Sequence, residues 1–356
     1  MARPVGRKWS PSRLTSRWSC GNIHKHCRAV CSPSVYKKTN FMISRRSQIT
    51  MLCYIMSCAT VSASSLPNVT CHTREIEGVH IFYREAGPQN APTTVLLHGF
   101  PSSSFYYRNL IPMLADKYHV VAPDYPGFGH SDTPAVDKFV YTFDHVGEVM
   151  DKFLEGISAT NIVIYMQDYG GPIGMRIALN NPGWIRGLVF QNANVYQEGL
   201  LERFFLKKPL WEKRNGATEA PVLRNMELES VKYQYVHGTR HPENLSPDAW
   251  IMDVALMERP GNKAIQLELQ ADYGNNLTKY PEWQNYLRKY HPPTLVVWGK
   301  NDPIFGPKGA EAFKRDIPDA EIHLLDTGHF ALEEDADAIS KYVGDFAQRC
   351  FGNRAN

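Results

Sequence analysis

Runs of consecutive apolar residues recur along most of the chain and predict buried strands. NIVIYM at residues 161–166, GLVF at 187–190 and TLVVW at 294–298 are clear examples. These runs are apolar at nearly every position instead of alternating with polar residues, which is typical of parallel strands covered by helices on both faces. Further strand patterns occupy residues 75–83, 93–97, 118–122 and 321–325.

Helical patterns lie between these runs, at residues 105–117, 144–157, 172–180, 307–316 and 335–348. Strands that alternate with helices in this way predict an α/β fold, with a mostly parallel sheet flanked by helices.

The stretch between the runs at 187–190 and 294–298 has no comparable strand pattern, but it is rich in aromatic residues and helix formers. A loop of that length without structure is implausible within a compact domain. We therefore predict that residues 194–290 form a helical lid. The α/β core then consists of residues 75–193 and 291–351.

Residues 1–74 form a basic leader that differs in composition from the rest of the chain. The leader contains 12 of the 39 Lys and Arg residues and none of the 36 Asp and Glu residues. The remainder has 27 basic and 36 acidic residues, a balance that argues against nucleic-acid binding. Six of the seven cysteines also lie in the leader, but their spacing does not match that of zinc sites, so no metal site is predicted.

Residues 42–63 of the leader have the order of a secretory signal peptide. Two arginines precede an apolar run at residues 49–61, and small residues end the segment at Ala63. The run is too short to span a bilayer stably. Secretion is expected if translation starts at Met42. Otherwise the Arg-rich and Ser-rich start of the chain, which lacks acidic residues, favours a mitochondrial presequence, and a cytoplasmic location is the remaining alternative.

QDYGG at residues 167–171 joins the strand at 161–166 to the helix at 172–180. An abrupt strand-to-helix turn with a small residue two positions after its apex is typical of a nucleophile elbow, which raises one side chain above the sheet. Asp168 is that side chain here. The residue two positions before it is usually small, and Met166 departs from this pattern. The alternative is that Asp168 only caps the following helix.

Three further junctions place functional groups at strand ends. HGFP follows one strand, and the N–H groups of Phe100 and Tyr169 are predicted to face the atom on which negative charge develops. Asp302 follows a strand after the lid, and His329 follows the last strand. Asp168, Asp302 and His329 thus occur in the order nucleophile, acid, histidine, although Asp302 or His329 alone could be an ordinary loop residue.

HGFP, QDYGG, GKNDPIF and DTGHF together resemble the α/β-hydrolase superfamily over residues 75–351. Within it, the chain resembles the branch with an aspartate nucleophile, which includes epoxide hydrolases and haloalkane dehalogenases. The resemblance implies the α/β-hydrolase fold and a reaction without metal or organic cofactor. Asp168 would form an alkyl ester with the substrate. Water activated by His329, with Asp302 orienting the imidazole, would then cleave that ester.

The resemblance leaves the leaving group open. Haloalkane dehalogenases usually have Asn and Trp, whose N–H groups hold the halide, at the positions of Phe100 and Tyr169. Epoxide hydrolases instead protonate the ring oxygen with lid tyrosines. Tyr273 is similar in placement to one of these, and Tyr233 or Tyr235 could supply the other, although each could simply pack within the lid.

Three hypotheses about function follow from these residues. The first is an epoxide hydrolase that acts on an apolar small molecule. The second is a haloalkane dehalogenase. The third is a non-catalytic protein that binds small molecules on the same fold, because fold alone does not determine function.

Overall fold

An eight-stranded sheet forms the centre of the computed structural model, which describes residues 67–352. The strands are β1 (Thr70–Ile76), β2 (Val79–Ala86), β3 (Thr93–Leu97), β4 (His119–Pro123), β5 (Ile162–Gln167), β6 (Ile185–Gln191), β7 (Thr294–Gly299) and β8 (Glu321–Leu325). Their order across the sheet is β1-β2-β4-β3-β5-β6-β7-β8. β2 pairs antiparallel with β1 and β4, and the other neighbouring pairs are parallel. The predicted, mostly parallel sheet is confirmed.

The central strands are buried on both faces. Every residue of β5 and β7 is buried, and so is nearly every residue of β3 and β6. Burial of each Val, Ile or Leu side chain contributes about 1.5–3 kcal/mol, which explains why the continuous apolar runs become the centre of the sheet. The carboxyl ends of these parallel strands share one edge of the sheet, where α/β proteins place their ligands.

β1 and β2 form an antiparallel hairpin where the sequence predicted one strand at residues 75–83. Glu77 and Gly78 between them have φ angles of 52° and 77°, the left-handed backbone of a tight turn. β1 is almost entirely exposed, so it lacks the apolar run that marks the other strands. It begins at Thr70, inside the predicted leader of residues 1–74.

Helices connect the strands and cover the sheet. They are α1 (Leu110–Leu114), α2 (Phe143–Gly156), α3 (Gly170–Asn180), α4 (Lys208–Glu212), α5 (Gly216–Arg224), α6 (Leu228–Val236), α7 (Asp248–Met257), α8 (Asn262–Tyr290), α9 (Lys308–Glu311), α10 (Phe313–Asp316) and α11 (Leu332–Gly352). α2 packs against α3, and α11 packs against α1.

Two predicted helices are broken. The segment predicted at residues 105–117 is a 3₁₀ helix, Ser104–Tyr107, followed by the short α1. Pro112 lies in α1 and has no N–H to donate to the preceding turn, so one continuous helix cannot form there. The segment predicted at residues 307–316 is divided into α9 and α10.

The segment predicted to form a lid, residues 194–290, lies between β6 and β7. It contains α4 to α8 and the 3₁₀ helices Gln197–Gly199, Glu202–Lys207 and Pro242–Asn244. α8 is 29 residues long and contacts α2 and α3 of the core as well as α4, α5 and α7 of the segment itself. α8 therefore connects this helical segment to the sheet and its covering helices.

Within residues 67–352, no helix combines the length and the apolar character needed to cross a membrane. The predicted signal peptide at residues 42–63 lies outside the described residues, as does the rest of the leader before residue 67.

Candidate active site

Asp168 lies at the sharp turn between β5 and α3, at the carboxyl edge of the sheet. Its φ is 47°, a left-handed backbone conformation that costs a residue other than glycine about 1 kcal/mol or more. Only 6% of its surface is exposed. This geometry is that of a nucleophile elbow, in which a strained turn holds one side chain out over the sheet.

Two glycines leave the room that this turn requires. A Cβ atom on Gly99 would lie 2.2 Å from the Cβ atom of Asp168, and a Cβ atom on Gly170 would lie 2.1 Å from the carbonyl oxygen of Leu97. Both distances are too short for non-bonded atoms. The glycines of HGFP and QDYGG therefore permit the close approach of the two loops that carry the site.

The two oxygens of the Asp168 carboxylate have different surroundings. Oδ1 accepts a hydrogen bond from the backbone N–H of Phe100 at 2.8 Å. Oδ2 lies 3.9 Å from Nε2 of His329. One oxygen is thus held by the loop after β3, and the other faces the imidazole.

His329 is fully buried and is oriented by Asp302, which is buried as well. Nδ1 of the imidazole lies 2.7 Å from Oδ2 of Asp302. Because the carboxylate accepts the Nδ1 proton, Nε2 of the neutral ring is left unprotonated and able to act as a base. The amide nitrogen of Gln167 lies 3.2 Å from the same Nε2.

Asp302 is itself held in place by three neighbours. Its Oδ1 accepts the backbone N–H groups of Ile304 at 2.7 Å and Phe305 at 3.1 Å. Its Oδ2 accepts the side-chain amide of Asn192 at 2.8 Å. Asn192 was not among the predicted site residues, although a polar residue directly after a buried strand, here β6, is a signal that could have indicated it.

Burial and neighbouring charges shift the pKa values of Asp168 and His329. Burial raises the pKa of the Asp168 carboxyl above its ordinary value, and His329 and the Phe100 N–H offset part of that rise. Burial alone would lower the pKa of His329, but the charge of Asp302 and its hydrogen bond outweigh burial and raise that pKa. The site therefore stabilises the imidazolium that forms when His329 accepts a proton.

The segment DYPGFGHS after β4 supports the HGFP loop. The carboxylate of Asp124 accepts the backbone N–H groups of Ser104 at 2.6 Å and His130 at 2.7 Å. The O–H of Tyr125 donates to the carbonyl oxygen of His98 at 2.8 Å. These bonds fix the loop that presents the Phe100 N–H to Asp168.

Two of the predicted lid tyrosines contact other polar side chains. Tyr235 donates its O–H to Oδ2 of Asp253 at 2.5 Å and stacks on Phe330, with 3.9 Å between the ring centroids. The ring of Tyr233 lies 4.4 Å from the guanidinium carbon of Arg203. The Tyr235 O–H is therefore already engaged by the carboxyl group of Asp253 in the helical segment.

Tyr273, the third of the predicted lid tyrosines, packs against Tyr169. Its ring centroid is 5.5 Å from that of Tyr169, the residue after Asp168. Burial raises the pKa of Tyr273 well above its ordinary value, and the Asp168 charge adds to that rise. The face of the ring is covered by the ammonium group of Lys207, 4.4 Å from the centroid.

A small cavity of about 60 Å³ lies above Asp168, between the sheet edge and the helical segment. Phe100, Tyr169 and Phe305 form part of its wall, and the cationic side chains of Arg203 and Lys207 line it as well. None of the three lid tyrosines belongs to this wall. The sequence predicted an apolar substrate, whereas this cavity also contains two positively charged side chains that no motif indicated.

Away from Asp168, the described residues form a second, larger groove. This groove of about 630 Å³ lies at the amino ends of β6, β7 and β8 and contains none of the predicted site residues. Within residues 67–352, no group of three or more His, Cys, Asp or Glu side chains is arranged to hold a metal ion.

The known proteins that this chain resembles belong to one family, the α/β-hydrolases. Residues 92–336 match the family described as alpha/beta hydrolase fold. The chain is 42% identical over 273 residues to an uncharacterized hydrolase of Saccharomyces cerevisiae, covering 75% of this chain and 93% of the yeast protein. It is also 41% identical over 282 residues to a haloalkane dehalogenase of Psychrobacter cryohalolentis, covering 75% and 87% of the two chains.

Among solved structures, the epoxide hydrolase CorEH is similar, with a TM-score of 0.65 at 20% sequence identity. The match covers 80% of this chain and 99% of CorEH. At this level of identity the likeness is one of fold.

Proposed function

Since the chain belongs to the α/β-hydrolase family, we propose that it hydrolyses small organic electrophiles through an ester on Asp168, with epoxides as the leading substrate class. The observation that carries the proposal is the placement of the Asp168 carboxylate. It lies at a strained turn between the Phe100 N–H, 2.8 Å from Oδ1, and His329, 3.9 Å from Oδ2. A carboxylate held in this way is suited to attack saturated carbon.

The first step forms the ester. Oδ2 attacks the electrophilic carbon, because Oδ1 is held by the Phe100 N–H and becomes the carbonyl oxygen of the ester. The bond from that carbon to its leaving atom breaks as the new bond forms. The elbow and the small cavity hold the two reacting atoms together, which lowers the entropic part of the barrier.

The second step cleaves the ester. Nε2 of His329 takes a proton from water, and the hydroxide adds to Cγ of Asp168. The negative charge then develops on Oδ1, where the N–H groups of Phe100 and Tyr169 stabilise it. Loss of one such donor typically slows a reaction about 10²- to 10³-fold. Asp302 stabilises the imidazolium until the departing alkoxide takes its proton.

The residues around Asp168 favour an epoxide over a halide. Neither Phe100 nor Tyr169 carries a side-chain N–H group of the kind that holds the halide in the dehalogenases that the sequence resembles. The ring of Tyr169 instead packs against Phe143 and Tyr273, at 4.8 and 5.5 Å between centroids. A leaving oxygen that remains attached to the substrate requires no separate halide site.

The test uses a variant that forms the ester but cannot cleave it. With His329→Gln, intact-protein mass spectrometry after incubation with styrene oxide is expected to show one added substrate mass, located on Asp168. The wild type is expected to produce the diol. Asp168→Asn is the matched control, and it should show neither the adduct nor turnover. If no epoxide in a broad panel modifies His329→Gln, the proposed covalent mechanism is wrong.

Dehalogenation is the second candidate, and the identity of 41% to a haloalkane dehalogenase favours it. Halide release by the wild type from simple bromoalkanes, without diol formation from epoxides, would make dehalogenation the leading function. A panel without any turnover, combined with ligand binding that Asp168→Asn leaves unchanged, would instead support a non-catalytic binding protein.

A further inference from the structure

Lys207 brings a positive charge into the cavity above Asp168. It is the last residue of the 3₁₀ helix Glu202–Lys207, which leads into α4. Its Nζ donates a hydrogen bond to Oε1 of Gln270 at 3.1 Å. The same atom lies 4.4 Å from the ring centroid of Tyr273 and 4.7 Å from that of Phe204. The ammonium group is thus held by one hydrogen bond and two aromatic faces.

This ammonium group forms no ion pair within 4.0 Å with a carboxylate of residues 67–352. The carboxylate whose charge acts on it is that of Asp168. Lys207 is half-buried. An ammonium group that loses part of its contact with water and has no paired carboxylate destabilises the fold. A structural lysine at this place would be expected to pair or to extend into solvent.

Lys207 can also lose its proton near neutral pH. Burial lowers its pKa to about 8, and the Asp168 charge opposes that shift. The other charged or titratable groups around it are Arg203 of the same helix, Tyr273 of α8 and His329 of the core. A group that is protonated at pH 7 and has a pKa close to the working pH is an efficient general acid.

We propose that Lys207 is a catalytic residue that donates a proton from Nζ to the leaving oxygen when Asp168 attacks, so that the substrate is an epoxide. This inference rests on the proposed ester mechanism. It deepens that mechanism, because it assigns the acid and thereby the class of leaving group. The lid tyrosines do not line the cavity, and Tyr235 already donates to Asp253. Lys207 therefore takes the place expected for a tyrosine, and Tyr273 supports its charge.

The proton and charge balance closes over one turnover. Oδ2 of Asp168 bonds to an epoxide carbon, the ring C–O bond breaks, and the ring oxygen takes a proton from Lys207, which becomes a neutral amine. Water then gives a proton to His329, and its hydroxide cleaves the ester. The released alkoxide takes the proton from His329 and completes the diol. Asp168 is left as a carboxylic acid, and its proton returns to Lys207.

The test measures only the first step, in the His329→Gln background, by the rate at which mass spectrometry detects the adduct. Styrene oxide and 1-bromobutane are the two probes, because the oxygen requires a proton and the bromide does not. Lys207→Gln is expected to slow modification by styrene oxide about 100-fold or more, the usual contribution of a general acid. Modification by 1-bromobutane should change less than about tenfold in the same variant.

The Lys207→Arg variant distinguishes the effect of proton donation from the effect of the positive charge. An arginine keeps the positive charge but does not give up its proton, so this variant should react with styrene oxide as slowly as Lys207→Gln. With Lys207 intact, the rate with styrene oxide should fall as the pH rises through about 8, and this fall should be absent in Lys207→Arg. Lys208→Gln, which removes an exposed neighbouring lysine, is the control and should keep the parent rate and pH profile.

Three results would overturn the inference. The first is a rate for Lys207→Gln within tenfold of the parent with styrene oxide, while its thermal unfolding is unchanged. The second is recovery of the parent rate in Lys207→Arg, which would mean that the charge and not the proton matters. The third is the absence of any adduct in the His329→Gln parent with either probe, and only this result also removes the proposed ester mechanism.

Discussion

Asn192 was not predicted as a site residue, but its side chain donates a hydrogen bond to Asp302 and helps to hold that carboxylate in place. Asn192 has a φ of 44°, and its amide also bonds both the N–H and the carbonyl oxygen of Gly299, at 2.9 and 3.1 Å. It therefore links the end of β6 to the end of β7. The carboxylate that orients His329 depends on this link for one of its bonds.

We expect Asn192→Ala to slow ester cleavage about 10- to 100-fold, because Asp302 loses a charge-assisted hydrogen bond and the imidazole loses part of its orientation. In the proposed mechanism, formation of the ester does not use His329 as a base, so the rate of this step should stay close to that of the wild type. Single-turnover mass spectrometry with styrene oxide would then show the adduct accumulating. Equal slowing of both steps would mean that the substitution acts through the whole fold.

At the level of elements, the elbow depends on how closely α3 approaches β3. Gly170, the first residue of α3, leaves no space for a Cβ atom because the Leu97 carbonyl oxygen lies at 2.1 Å from its ideal position. That oxygen belongs to the backbone of a buried central strand, so it cannot move aside without disturbing the sheet.

Gly170→Ala is therefore expected to lower the free energy of unfolding by about 1–3 kcal/mol or more. Gly183→Ala is the matched control, since a Cβ atom at Gly183 would meet no atom within 4 Å. Denaturant unfolding of the two variants and the wild type measures the difference. Similar stability of Gly170→Ala and Gly183→Ala would contradict the close packing of β3 and α3.

Asp253 on α7 is a buried carboxyl within the helical segment. Its Oδ2 accepts the O–H of Tyr235 on α6, and its Oδ1 is buried with no partner among the described residues. Burial raises its pKa from an ordinary 3.8 to about 7. The folded protein therefore holds this proton more tightly than the unfolded chain, and ionisation of Asp253 opposes folding.

The contribution of Asp253 to stability is complete below about pH 4 and is lost as the pH rises toward 7. Each pKa unit corresponds to about 1.4 kcal/mol, so the loss is as large as about 4 kcal/mol at pH 8. Asp253→Asn should be more stable than the wild type at pH 8 and similar to it at pH 4, as measured by denaturant unfolding.

Asp248→Asn, which removes an exposed carboxylate at the start of the same helix, is the control. It should keep the pH dependence of the wild type. If Asp253→Asn keeps that dependence as well, the Asp253 carboxyl is ionised in the folded protein.

For the molecule as a whole, we propose that residues 42–63 are a cleaved signal peptide. The first described strand, β1, begins at Thr70, so cleavage after Ala63 leaves every described element intact. N-terminal sequencing of protein secreted by a host with a secretory pathway should give a start near Ser64. Met42→Leu, which removes the proposed translation start, should abolish secretion. An intact Met1 on the mature protein would contradict this proposal.

Much of the architecture could be predicted because its causes are local in the sequence. Strands buried on both faces must be apolar at every position, so β3, β5, β6 and β7 stand out as runs. Asp168, Asp302 and His329 each follow a strand, and their order along the chain indicated that they act together. The sequence did not predict β1, because an exposed strand has no run of apolar residues.

By itself, the sequence determined the α/β layout and the strand ends at which Asp168, Asp302 and His329 lie, since burial and turn geometry act on neighbouring residues. Only the tertiary structure decided which side chains of residues 194–290 reach the cavity. Lys207 lies there beside Asp168, whereas Tyr235 bonds Asp253. The physical reason is that an aromatic or basic residue on a short helix has the same local pattern whether it faces the core, the cavity or water. Its direction is set by how α4 to α8 pack over the sheet.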